Sequence, residues 1–118
     1  YCDTDDANVD TAQAVGDCAS LPEALGPEAG ETRYATPQFD NVNDYHGLAM
    51  TGIADITNSP VSGLSAYSAS VSVAADDLGS LSAASGDALR ITVSVTGPDG
   101  STLTLDGYRS RHAPHAAL

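Results

Sequence analysis

The segment Ala66-Tyr67-Ser68-Ala69-Ser70-Val71-Ser72-Val73-Ala74 alternates apolar and polar side chains, and Leu89-Arg90-Ile91-Thr92-Val93-Ser94-Val95-Thr96 repeats the alternation. Tyr67, Ala69, Val71 and Val73 share one side of the first run, and Leu89, Ile91, Val93 and Val95 share one side of the second. Successive side chains of a strand point to opposite faces, so period two predicts two strands, each with a face to bury and a face to hydrate. A third run, 101–105, sets Leu103 and Leu105 against Thr102 and Thr104. Its phase breaks at Asp106-Gly107 before Tyr108, where a glycine inside a strand pattern signals a bulge.

The second and third runs are joined by Gly97-Pro98-Asp99-Gly100. Pro98 presets φ, Asp99 can accept from its own backbone and Gly100 can take φ > 0, so a tight hairpin is expected. The connection 75–88 is dominated by Ala, Ser and Gly and carries three aspartates, and reads as an excursion at the sheet edge. Together these features predict an antiparallel three-strand meander over 66–111.

A chain of 118 residues fits a single domain. Its core material is meagre, with no Trp, one Phe, one Met and five Tyr, and stability is expected to lean on the sheet and on a covalent tie. Cys2 and Cys18 are the only cysteines. Their spacing fits neither a paired zinc-ligand pattern nor a redox pair, which leaves a disulfide, and with it an extracytoplasmic location, against two free thiols.

Sixteen acidic residues face four arginines and no lysine, for a net charge of −12. Such a surface disfavours nucleic acid, whose phosphates are bound by Lys and Arg, and is repelled by an anionic membrane. It also suits solubility in high salt, where like-charge repulsion is screened. No apolar run approaches a membrane span. The chain opens on Tyr1-Cys2 without Met, so an upstream segment is expected.

Residues 1–38 read as an acidic loop with short helical turns, one capped by Asp10 or Thr11 and closed by Gly16, another over 21–25. Asp3, Asp5, Asn8 and Asp10 supply oxygens at the start of this region, which is the ligand type calcium takes. The glycine and glutamate of a helix-loop-helix calcium loop are missing, and a solvated acidic run accounts for the same residues. In 39–65, Phe39, Val42 and Tyr45 fall at helical spacing and predict one or two turns docked on the sheet, ended by Gly47. The remainder is an irregular connection, with Met50, Ile53 and Ile56 as anchors and Asn58-Ser59-Pro60 as a turn.

No catalytic motif is present: Gly-x-Ser-x-Gly, a phosphate-cradling glycine loop and His-Glu-x-x-His are all absent, and a non-enzymatic protein is expected. His46 is placed at a helix end in a capping role, and His112 and His115 in an extended tail. Tyr108, Arg109 and Arg111 form the one basic and aromatic cluster, suited either to docking on an acidic neighbour or to an internal ion pair with Asp106.

Phe39-Asp40-Asn41-Val42-Asn43-Asp44-Tyr45-His46-Gly47-Leu48, the runs beginning at Ala66 and Ala88, and Leu105-Asp106-Gly107-Tyr108-Arg109-Ser110-Arg111-His112-Ala113-Pro114 follow one another in an order and spacing that resembles MSHA-type (MshD-like) minor pilins. The likeness covers roughly the C-terminal two-thirds. It implies an α+β pilin-like head with an antiparallel meander and short N-terminal helical turns, normally carried on a membrane-inserted N-terminal helix that this chain lacks. It also implies a structural subunit of a type IV pilus on a Gram-negative cell, whose partners are other pilin subunits and a surface ligand. Membrane contact would come only through the missing helix, and Cys2–Cys18 would pin the segment after it. An extracellular adhesion module whose acidic loop takes calcium is the alternative.

Overall fold

The computed structural model describes residues 2–111. Strands β1 (Ala49–Thr51), β2 (Ser68–Ala75), β3 (Ala88–Thr96) and β4 (Thr102–Ser110) form one antiparallel sheet in the order β1-β2-β3-β4. The expected meander is therefore present, with a fourth, short strand added at the β2 side. Gly97 N–H donates to Ser101 O at 2.9 Å, Gly100 takes φ 81°, and Asp99 accepts from the Ser101 backbone and hydroxyl, so the hairpin forms as its residues dictate.

The register separates two chemically distinct faces. Ala69, Val71 and Val73 of β2 lie opposite Val95, Val93 and Ile91 of β3, which lie opposite Leu103, Leu105 and Gly107 of β4. Met50 of β1 joins this apolar face across from Ala69. The other face carries Ser68, Ser70 and Ser72, then Thr96, Ser94 and Thr92, then Thr102, Thr104 and Asp106. Its hydroxyls pair across the strands, Ser94 with Thr104 and Thr96 with Thr102 at 2.9 Å each, and Thr92 donates to Asp106.

Two expectations for β4 are corrected. The strand does not break at Asp106-Gly107: Thr92, Ile91 and Arg90 pair in unbroken sequence with Asp106, Gly107 and Tyr108. Gly107 keeps strand backbone because alternation continues through it, with Gly107 simply lacking a side chain on the apolar face. Nor does Asp106 pair with an arginine, since the Thr92 hydroxyl takes its carboxylate.

The α+β expectation is also overturned. Among the described residues there is no α-helix, only 3₁₀ turns at Val15–Asp17, Asn43–Tyr45 and Ala83–Ser85, so the fold is mostly antiparallel β. The expected turn over 21–25 is extended loop, and the one or two turns expected through Phe39, Val42 and Tyr45 up to Gly47 contract to the single 3₁₀ turn Asn43–Tyr45. The physical reason is competition for backbone N–H groups. Asp3 takes the N–H of Asp5, Asp6 that of Asn8, Asp17 those of Gln13 and Ala14, and Asp44 those of Asp40 and Asn41. Short acidic side chains that satisfy nearby backbone donors favour turns over helix. Asp55 does the same at Thr57 and Ser59, beside Asn58 at φ 62°, and makes the turn expected before Pro60. The Thr57 hydroxyl and these two N–H groups hold its carboxyl below the usual range.

The core sits at one corner of the apolar face. Val73 has no exposed surface, and Phe39, Val42 and Tyr45 gather beside Ile91, with Phe39 and Tyr45 edge-to-face at 5.1 Å between ring centroids. The docking foreseen for these three side chains is thus made from a loop. His46 fastens it: after Val71 exchanges backbone bonds with Gly47 and Leu48, His46 Nδ1 accepts the next N–H along β2, from Val73, at 3.0 Å. Its side chain extends the ladder where no strand residue is available, in addition to standing at the end of the turn. The other expected anchors are less buried: Met50 and Ile53 are half-buried, and Ile56 is 50% exposed. No helix among the described residues is long and apolar enough to cross a membrane.

Candidate functional site

The N-terminal segment is held over the sheet by a covalent tie and a carboxylate hub. Cys2 and Cys18 are bonded, with their Cα atoms 5.4 Å apart, as expected from their spacing. Inside that loop, Asp6 accepts the N–H groups of Ala19, Ser20 and Leu21 at 2.8 to 3.0 Å, in addition to that of Asn8. These donors, Ala19 foremost, hold the Asp6 carboxyl far below the usual carboxylate range. Asp6 is the organising residue of the segment, and nothing in its sequence neighbourhood distinguishes it from Asp3 or Asp5.

The four expected calcium ligands do not converge. Asp5 and Asp10 are exposed, Asn8 donates its side-chain amide to Asp17 O, and Asp3 alone enters a carboxylate cluster. That cluster is assembled from distant parts of the chain. Asp3, Glu23 and Glu28 present oxygens within 4.8 Å of one another, and Glu28, Glu31 and Asp44 do the same. The backbone explains the convergence: Asp3 N–H donates to Leu21 O, which brings 21–31 beside the N-terminus, and Gly26 N–H donates to Asn43 O, which brings it beside the Asn43–Tyr45 turn.

The cluster is deeply placed and short of donors. Asp44 has no exposed surface and Asp3 is 6% exposed, whereas Glu23, Glu28 and Glu31 are half-buried. Asp44 Oδ2 accepts from Asp40 and Asn41, and Glu23 Oε2 accepts from the Asn41 amide at 2.7 Å. Asp44 Oδ1, Glu23 Oε1 and Glu28 Oε2 are buried and have no hydrogen-bond partner. Burial, with the Asp44 carboxylate nearby, pushes Glu23 up to about 7, and burial, with a hydrogen bond that the protonated Glu28 carboxyl donates to Glu31, pushes Glu28 up to about 8. A cleft of about 630 Å³ opens nearby, lined by Glu23, Val42, Leu89 and Arg109 among others.

Of Tyr108, Arg109 and Arg111, the two arginines come together and Tyr108 is separated from them. Tyr108 lies opposite Arg90 on the polar face, and Arg109 lies opposite Leu89 on the apolar face, at the cleft. Arg111 follows the strand, donates its N–H to Asp87 O at 2.7 Å, and has its guanidinium pKa drawn down by burial. The alternation of β4 sets Tyr108 on the face opposite Arg109, while Arg109 and Arg111, two residues apart, both line the cleft. His112 and His115 lie outside the described residues.

Sequence reasoning did not foresee the most exposed surface. All nine residues of β4 are exposed, and Leu103 and Leu105 on the apolar face are each 64% exposed. The 39–48 segment covers that face beside Val73 and Ile91 and leaves Leu103 and Leu105 of β4 open. The signal that could have located it is the shortage of large apolar residues elsewhere in the chain to cover a second sheet end. Comparisons with protein-family models, curated proteins and solved structures return no match.

Proposed function

We propose that this chain is a non-enzymatic head domain of the type IV minor pilin kind, acting outside the cell by packing against other pilin subunits and contributing to filament assembly or tip and to surface adhesion. The observation that carries this reading is β4. It is an edge strand, bonded among the described residues to β3 alone, and it exposes Leu103 and Leu105 beside a row of backbone donors and acceptors that no other described strand pairs with. Such an edge is a template for another chain, and one left long and partly apolar is expected in a subunit that finishes its burial on assembly. The order and spacing of the four segments quoted above supply the link to minor pilins, and the Cys2–Cys18 bond suits an oxidising compartment.

In this reading the polar face stays toward water, since its hydroxyls already pair with one another. The acidic surface keeps isolated heads apart until an anchor brings them together, after which the short-range contacts of β4 decide their arrangement. The experiment is photo-crosslinking in cells that make the protein, with the reactive group at position 103 or 105 and a control at the exposed Thr57. Crosslinks from 103 and 105 to other pilin subunits, recovered with sheared filaments, are the expected result. Absence of the protein from the filament fraction, or equal crosslinking from Thr57, refutes the assignment.

A further inference from the structure

Five carboxylates from three separate parts of the chain meet beside the Asn43–Tyr45 turn, with no arginine of the described residues in ion-pair distance of any of them. A cluster of acids on a surface is ordinary, because water neutralises it. This one differs in a specific respect: Asp44 has no exposed surface, its Oδ2 is occupied by the N–H groups of Asp40 and Asn41, and its Oδ1 has no partner. Glu23 and Glu28 each add a further buried oxygen without a partner. Buried polar groups in folded proteins are almost always paired, so three unpaired acceptors facing one cluster mark a missing donor or cation.

We propose that Glu28, Glu31 and Asp44, adjoined through Glu28 by Asp3 and Glu23, form a binding site for a calcium ion. The geometry fits the ion. Oxygens bound to calcium at about 2.4 Å lie no more than about 4.8 Å apart across the coordination sphere, and the oxygens of each group satisfy that limit. The donor set is entirely oxygen and rich in carboxylate, which selects a hard cation over zinc or copper. The ligands sit on irregular backbone, two glutamates on the 21–31 loop and Asp44 on a 3₁₀ turn, a setting that suits calcium's variable coordination better than magnesium's strict octahedron. Binding would tie the 21–31 loop to the N-terminus and to the turn that plugs the sheet. This inference does not depend on the filament reading, and either can fail alone.

The test is calcium titration of the whole chain by calorimetry, with thermal melts in chelator, in calcium and in magnesium at about 2 mM. Saturable binding near one ion per chain, a melting temperature raised by several degrees in calcium and a smaller rise in magnesium are the expected results. Asp44→Asn keeps the shape of the side chain, and Glu31→Gln keeps an acceptor for the Glu28 N–H that Glu31 binds. Each is expected to weaken calcium binding at least tenfold, while Asp5→Asn and Asp10→Asn leave it unchanged. No heat and no melting shift with the wild-type chain, an equal response to magnesium, or loss of binding in Asp5→Asn and Asp10→Asn but not in Glu31→Gln overturns the proposal.

Discussion

Replacing Val73 by alanine tests the claim that the core occupies one corner of the apolar face. Val73 has no exposed surface, so the change removes two methyl groups that are fully out of water. At about 0.8 kcal/mol per buried carbon the transfer loss is about 1.6 kcal/mol. The cavity left beside Ile91 adds up to about 1 kcal/mol more, because the neighbouring ladder holds its backbone in place. A loss of about 2 to 2.5 kcal/mol is expected. Val95→Ala is the matched control: the same chemistry on the same face, two pairs nearer the hairpin than Val93, at a half-buried position. Its loss should stay near 1 kcal/mol or below. Urea unfolding followed by far-ultraviolet circular dichroism measures both, with the slope of free energy against urea serving to check that the unfolded states are alike. Equal losses at the two positions would refute the reasoning, since they would mean that burial is spread along the whole face.

Three further outcomes are expected. The double change Cys2→Ala, Cys18→Ala opens a loop with a sequence separation of 16, and urea unfolding should show a loss of roughly 3 kcal/mol on the chain-entropy estimate; coincident midpoints would contradict it. Gly107→Val places a β-former where an added Cβ meets nothing within 4 Å, and should stabilise the sheet by roughly 0.5 kcal/mol in the same assay; a large destabilisation would restore the bulge. In chelator, Glu23 and Glu28 hold protons in the folded state that they release when unfolded near pH 4.5 and above. Their contribution is therefore fully present below about pH 4.5 and lost as pH rises through about 7 to 8, so melting temperature should fall across that window. Asp6 acts with the opposite sign, contributing above the ordinary carboxylate range and losing its contribution as pH falls below it. A melting temperature that rises steadily from pH 4.5 to 8 would be inconsistent with this balance.

The meander was legible because Val71, Val73, Ile91 and Val93 alternate with hydroxyl residues, and period two has no other common cause. Ala49-Met50-Thr51 was not, since three residues carry too little pattern to separate a strand from a connection. The continuation of β4 was misread because Gly107 carries no side chain to mark its face, so the alternation seems to stop where it only falls silent. Helical spacing at Phe39, Val42 and Tyr45 predicted their common destination correctly and their backbone wrongly: Asp44 accepts the N–H groups of Asp40 and Asn41 and closes the segment as a turn instead. The carboxylate cluster had no local signature, because loops bring Asp3, Glu23 and Asp44 together by backbone bonds between distant segments. Asp3 was singled out in the sequence as one of a run, whereas its neighbours in space belong elsewhere in the chain.

The two margins of the sheet are unequal, and that inequality limits how copies can join. On one side β1 offers three residues before the ladder passes to an imidazole ring; on the other, β4 offers nine. Unlimited side-by-side growth needs two adhesive margins per molecule, so that each newcomer presents a fresh one. A body with a single such margin can marry one neighbour there and then has nothing similar left to offer, which favours closed pairs over ribbons.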